Sequence, residues 1–223
     1  MAAFPGMNAG AGVAGSRSRR EQILGVAAQL FARHGFHGVS IADLGAAVGV
    51  SGPALYRHFP SKEALLAEML IGISEHLLAG GQERAAASED PREVLAALID
   101  FQVDFALREP ELITVQDRDL ANLPPAPRRR VRLLQRMYVE IWVDTLRRIN
   151  PELSVEAARI AAHGAFGLLN STPHSGTRGS RAEVAALTEL IGRGPALLTG
   201  DAAVPARAVA GRLGLADAQA GLH

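Results

Sequence analysis

Residues 35–66 read GFHGVSIADLGAAVGVSGPALYRHFPSKEALL, and the punctuation of this stretch decides the fold. Ser40-Ile41-Ala42-Asp43 has the spacing of a capping box, in which the serine oxygen takes an orphan amide and the carboxylate three residues on reaches back to the cap. A short helix starts there. Gly49 ends it after two turns, because the chain then needs a positive φ that a residue with a β-carbon adopts reluctantly. Ser51 caps the next helix, and Pro53 sits in its first turn, where a missing N–H costs nothing. Pro60 stops that helix and Ser61 caps a fourth, along which Leu66, Met69, Leu70, Ile73 and Leu77 line one face.

Upstream, Ile23, Val26, Ala27, Leu30, Phe31 and His34 follow the i, i+3, i+4, i+7 spacing of an amphipathic helix over residues 18–34, closed by Gly35 as a left-handed residue. One longer helix followed by two short ones with a glycine turn between them is the pattern of a helix-turn-helix, whose later helix enters a major groove. Its exposed side is expected to carry Ser51, Gly52, Pro53, Tyr56, Arg57 and His58, while Leu55 and Phe59, four apart, turn inward as anchors. Tyr56 and His58 are placed to donate to phosphate oxygens. Lys62, the only lysine in the chain, stands at a helix N-terminus, where backbone amides also favour an anion. Ser40 at the head of the preceding helix and a basic arm of Arg17, Arg19 and Arg20 complete the candidate DNA-contacting set.

Charge distribution points the same way. The formal net charge is zero, yet residues 1–62 hold six basic and two acidic groups, and the remainder seventeen basic against twenty-one acidic. A cationic head on a mildly acidic body suits a polyanionic partner.

The register of Gly35, Phe36, Ser40, Ile41, Ala46, Gly49, Val50, Ser51, Leu55, Tyr56, Phe59, Lys62 and Leu65 resembles the N-terminal domain of TetR-family transcriptional regulators. The family usually has threonine where Ser40 stands. Gly52 and Pro53 replace longer polar side chains, so direct base readout there is reduced and DNA shape carries more of the specificity. The resemblance implies a homodimer, a helical effector-binding body, and a four-helix dimer bundle built from the last two core helices of each chain.

The body itself has helical spacing throughout. Val94, Leu98, Phe101 and Phe105 mark a helix opening after Pro91; residues 110–120 form another, and residues 131–149 a long one holding Tyr138, Ile141, Trp142 and Leu146. Ser154 caps a helix with Val155, Ala158, Ala162, Ala165 and Leu169 on one face, and Val184, Leu187 and Ile191 mark the last. Nothing alternates with the period of two that a strand needs. The dimer helices are expected at residues 154–169 and 182–198, where the first is rich in Ala and Gly. Phe101, Phe105, Tyr138, Trp142 and Phe166 supply five of the ten aromatic residues and suit either a core or an apolar effector wall. His163, Asn170 and His174 are polar groups near that wall. The basic run RRRVRLLQR, residues 128–136, spreads its charges round several helix faces and reads as a solvated surface.

The expectation is therefore an all-α chain: a lead-in at 1–16, a helix-turn-helix domain at 17–62, a helical effector-binding and dimerisation domain at 63–200, and a tail at 201–223. With no cysteine, disulfides and thiolate metal sites are excluded. No GxxxxGK[ST], GxSxG or strand-borne GxGxxG motif is present, so neither a catalytic constellation, a metal nor a cofactor is expected. No apolar run approaches a membrane span and the N-terminus lacks a signal-peptide pattern, which suggests a cytoplasmic protein. The function expected is ligand-responsive transcriptional repression at a palindromic double-stranded DNA operator, with a small hydrophobic or amphipathic effector. An activator or effector-independent DNA binder is the alternative, and an all-helical enzyme a remote one.

Overall fold

The computed structural model describes residues 18–171. The lead-in 1–16, Arg17, His174, the helix expected at 182–198 and the tail lie outside the described residues. Within them the chain forms eight α-helices and one 3-10 turn, and no strand, so the all-α expectation holds.

Helix α1, Arg19–His34, opens on a capping box that sequence reasoning passed over: Ser18 Oγ accepts from the Glu21 amide at 3.2 Å, and Glu21 accepts from the Ser18 amide at 2.9 Å. It closes at Gly35, where φ is 79° as expected but ψ is 157°, a region outside the left-handed helical basin that essentially only glycine enters. Helix α2, Ile41–Val48, forms both halves of the Ser40–Asp43 box and ends at Gly49 with φ 70° and ψ 38°. Helix α3, the one expected to enter a major groove, is shorter than expected, Gly52–Leu55. Beyond Leu55 the bonding is mixed: i→i−3 from Arg57 to Ala54 at 3.3 Å and from His58 to Leu55 at 2.9 Å, then i→i−4 from Phe59 to Leu55 at 3.0 Å. One local feature accounts for this: Phe59, preceding Pro60, is disfavoured from helical dihedrals.

Helix α4, Lys62–Ala87, runs out of the head without a break and becomes the spine of the body. Around it stand α5, Pro91–Arg108, α6, Pro110–Asp119, the turn Leu120–Asn122, α7, Pro125–Ile149, and α8, Val155–Ser171. Helix α7 begins well before the expected residue 131, because Pro125 and Pro127 fall in its first turn, where they fit rather than break it. By length and composition α4 is apolar enough to cross a membrane, with a mean hydropathy of 1.3 over 18 residues, which corrects the expectation that no such run exists. Its apolar side chains are instead core: Leu65, Leu66, Met69, Leu70 and Ile73 are all fully buried. One contiguous cluster of buried side chains links Ile23, Phe31 and Leu44 in the head through α4 to Leu98, Trp142 and Ala162 in the body.

Two close approaches position the functional parts. First, α6 docks on the end of α1: Arg118 donates to the Phe31 carbonyl and, at 3.1 Å, to that of Ala32, while pairing with the buried Asp119 carboxylate at 2.9 Å. That hydrogen bond to Asp119 holds the Arg118 guanidinium above its ordinary pKa. His37 meets Asn122 beside it at 2.9 Å. Second, Gly80 and Gly81 form a notch in α4 that receives the rings of Phe101 and Tyr138. A β-carbon at Gly81 would lie 2.7 Å from Tyr138 Cε2 and 3.2 Å from Ile141 Cδ1. Gly81→Ala is therefore expected to lower the melting temperature, because overpacking a buried ring costs about 1–3 kcal/mol and outweighs the ~1 kcal/mol that alanine adds to a helix interior. Thermal unfolding followed by circular dichroism tests this.

Candidate nucleic-acid interface

The anchors expected to face inward do so: Leu55 and Phe59 are 1% and 2% exposed, packed with Phe31, Phe36 and Leu44 in the head core. Their burial turns the rest of the short α3 segment outward. Ser51, Pro53, Tyr56 and Arg57 are exposed, and Gly52 and His58 half-buried. Tyr56 is 51% exposed. Neither its hydroxyl nor the Arg57 guanidinium is bonded to another described residue, so both are free to meet an external acceptor. Ser40 is exposed too, but its hydroxyl already donates to Asp43 at 2.7 Å and accepts from the Asp43 amide at 3.1 Å. The Ser40 hydroxyl, with the Ser40 backbone amide, pulls the Asp43 carboxyl below the usual carboxylate range. Ser40 thus serves the cap before anything else.

The cations divide differently from the expectation. Arg20 does not belong to a free basic arm: it donates through Nε and Nη2 to the Glu68 carboxylate and through Nη1 to the His58 carbonyl, with its guanidinium 4.3 Å above the Phe59 ring. The hydrogen bond to Glu68 raises its pKa. Arg20 is a brace holding the end of the recognition turn between α1 and α4. Arg19 ties α1 to the last turn of α2 through the Val48 carbonyl, and bonds Gln22 at 3.0 Å. Lys62 gives two of its three N–H groups to the Phe36 and Val39 carbonyls at 2.8 and 2.9 Å and lies 4.4 Å from the Phe36 ring. It clamps the loop between α1 and α2 and keeps one donor for another acceptor.

In the body, Tyr138, Trp142 and Phe166 meet as a ring cluster, with centroids 4.8 Å apart for Trp142 and Phe166 and 5.6 Å for Tyr138 and Phe166. Tyr138 donates to Gln102 at 3.1 Å, and Gln102 in turn to Asn170 at 2.9 Å. Gln102 is 2% exposed and was missed by sequence reasoning, since an amide on an apolar helix stripe announces no partner. Burial pushes the Tyr138 phenol up from its ordinary pKa, with the Trp142 indole and Arg84 acting the other way. The Trp142 Nε1 group is buried and forms no hydrogen bond of ordinary geometry with the described residues. Phe101 stands apart, over the Gly80 notch, between His76 at 5.4 Å and the Arg84 guanidinium at 3.9 Å. Phe105 is buried on α5. His163 corrects the expectation: it is exposed and turned away from the rings, into an open cleft between α7 and α8.

A family model described as bacterial regulatory proteins, tetR family, matches residues 23–69, and a tetracyclin repressor-like C-terminal domain model matches residues 88–174. The chain belongs to the TetR family. Among TetR-family relatives, it is 28% identical over 133 residues to the HTH-type transcriptional repressor KstR2 of Rhodococcus jostii, covering 59% of this chain and 65% of that repressor. It is 32% identical over 87 residues to the HTH-type transcriptional activator FasR of Mycolicibacterium smegmatis, covering 39% and 40%. The chain spans just under two thirds of the length of the first of these and well under half of the second. A crystal structure of a TetR-family transcriptional regulator from Bordetella parapertussis superposes with a TM-score of 0.71 at 26% identity, covering 78% of this chain and 92% of that one.

Proposed function

We propose that this TetR-family chain is a ligand-responsive DNA-binding regulator that represses transcription as a homodimer and works in the cytoplasm on double-stranded operator DNA, without catalysing a reaction. The observation that carries this reading is the recognition turn, where Tyr56 and Arg57 stand exposed and bonded to no other described residue, on a segment held from below by Leu55, Phe59 and the Arg20 brace. Side chains that are rigidly based and free at the tip suit phosphate and base contact. The head is assigned to residues 17–62 and the effector and dimer body to 63–200. Dimerisation is assigned to α8, with the segment at 182–198, because Ile160 and Leu168 are 61% and 47% exposed and a β-carbon on Gly164 or Gly167 would touch no described residue. Likeness to a repressor over the longer stretch favours repression; likeness to an activator over a shorter one supports activation as the second reading.

Coupling follows from α4, which carries Lys62 at its head end and the Gly80–Gly81 notch against Phe101 and Tyr138 at its body end. An effector that prefers a different seat for those rings shifts α4, and with it the spacing of the two heads. Such coupling is worth about 1–3 kcal/mol. The test is selection of random duplex DNA on the purified protein at two salt concentrations, then titration of variants. An inverted repeat should be enriched. Tyr56→Phe and Lys62→Ala should weaken binding to selected and random duplex alike, with Lys62→Ala lowering the salt slope by about one. Unchanged affinity and slope in both variants would remove Tyr56 and Lys62 from the interface.

A further inference from the structure

The basic run at 128–136 is absorbed by neither the head nor the ring cluster, and the structure sorts its charges. Arg130 pairs with Glu75 at 3.2 Å and Arg128 reaches the Ala121 carbonyl at 3.5 Å. Further along α7, Arg147 and Arg148 likewise find the Leu153 and Glu89 carbonyls. Arg132 and Arg136, one turn apart, are bonded to no other described residue. Both line the open α7–α8 cleft, whose volume is about 690 Å³, and Arg159 and His163 line it from α8. Among the described residues Glu140 is the carboxylate that lines the cleft, and it is already paired with Arg159 at 2.6 Å. Two guanidinium groups in one concavity thus have no described partner, and Gln135 and Val139 line it beside them.

We propose that this cleft binds a small organic phosphate through Arg132 and Arg136. A phosphoryl group offers two negative charges and several acceptor oxygens in the geometry that guanidinium forks match, where a single carboxylate would neutralise only one of the two free cations. The volume falls in the range of small-molecule sites and far exceeds a bare phosphate, leaving room for an organic part against Val139 and the His163 ring. The site is separate from the recognition turn and stands whether or not the DNA-binding reading holds.

The test is calorimetric titration of the full chain at low salt with two probes, inorganic pyrophosphate and ADP. Expected is one saturable site per chain, tighter for ADP, weakened about tenfold or more in Arg132→Gln/Arg136→Gln. Arg57→Gln, which changes only the recognition turn, should bind as wild type. Both variants are checked for an unchanged thermal transition. No saturable binding of either probe overturns the proposal, as does undiminished binding in the double variant or a loss in Arg57→Gln, which would put the anion on the head. Equal affinity for the two probes would leave a site for inorganic anions only and overturn the organic phosphate.

Discussion

Trp142→Ala is expected to reduce unfolding free energy by about 3–5 kcal/mol, the range for removing a buried tryptophan. The indole is fully buried, 4.8 Å from the Phe166 centroid and 6.3 Å from that of Tyr138. Truncation opens a void on the α7–α8 seam and strips the other two rings of their edge contacts, worth about 0.5–1.5 kcal/mol each beyond area. Relaxation is limited, since Tyr138 is pinned by Gln102 and wedged against Gly81. Trp142→Phe should cost much less. It keeps one ring in the cluster, so most of the buried area and the contact with Phe166 are retained. Urea midpoints by far-ultraviolet circular dichroism, with unchanged m-values, give both numbers. A Trp142→Ala cost below 1 kcal/mol, or a Trp142→Phe cost equal to it, would contradict this packing.

How much of this was legible depended on distance along the chain. The caps at Ser40, Ser51 and Ser61 and the turn at Gly49 each act within four residues, so local rules located them, and the head followed. The inward anchors Leu55 and Phe59 were equally readable, because four-residue spacing on one helical turn leaves them a common face. Arg20 was misread for the opposite reason: its partner Glu68 is 48 positions away, and nothing near Arg20 signals it. Arg118, which reaches back 87 positions to Phe31, had no local signal at all. His163 was lost by angle. Three residues of helix turn about 300°, which places His163 some 60° further round α8 than Phe166, enough to carry it from the rings into the cleft. Helix α7 begins earlier than expected because Pro125 and Pro127 are tolerated in its first turn, and only the fold shows which turn is first.

Phe59→Ala should abolish DNA binding while sparing the body. Phe59 is 2% exposed, lies at the end of the recognition turn and carries the Arg20 guanidinium on its face. Losing it costs about 3–5 kcal/mol and leaves Arg20 stacked on a void. The head is small. At about 0.05–0.15 kcal/mol per residue, a segment of roughly 45 residues is stable by only ~2–7 kcal/mol, so the substitution is comparable with everything that holds the recognition turn in place. Operator affinity should fall by about two orders of magnitude or more, which is what populating the ordered head at one per cent implies. The chain provides its own control, because its only tryptophan, Trp142, sits in the body. The Trp142 emission maximum should stay at its wild-type position in Phe59→Ala, while amide hydrogen exchange in α1 to α3 accelerates. A red-shifted Trp142 signal at the same temperature would mean that head and body unfold as one unit through α4 and the Arg118 clasp. In that case the contiguous core linking Phe31 to Trp142, rather than the head alone, sets the stability of the proposed DNA-binding surface.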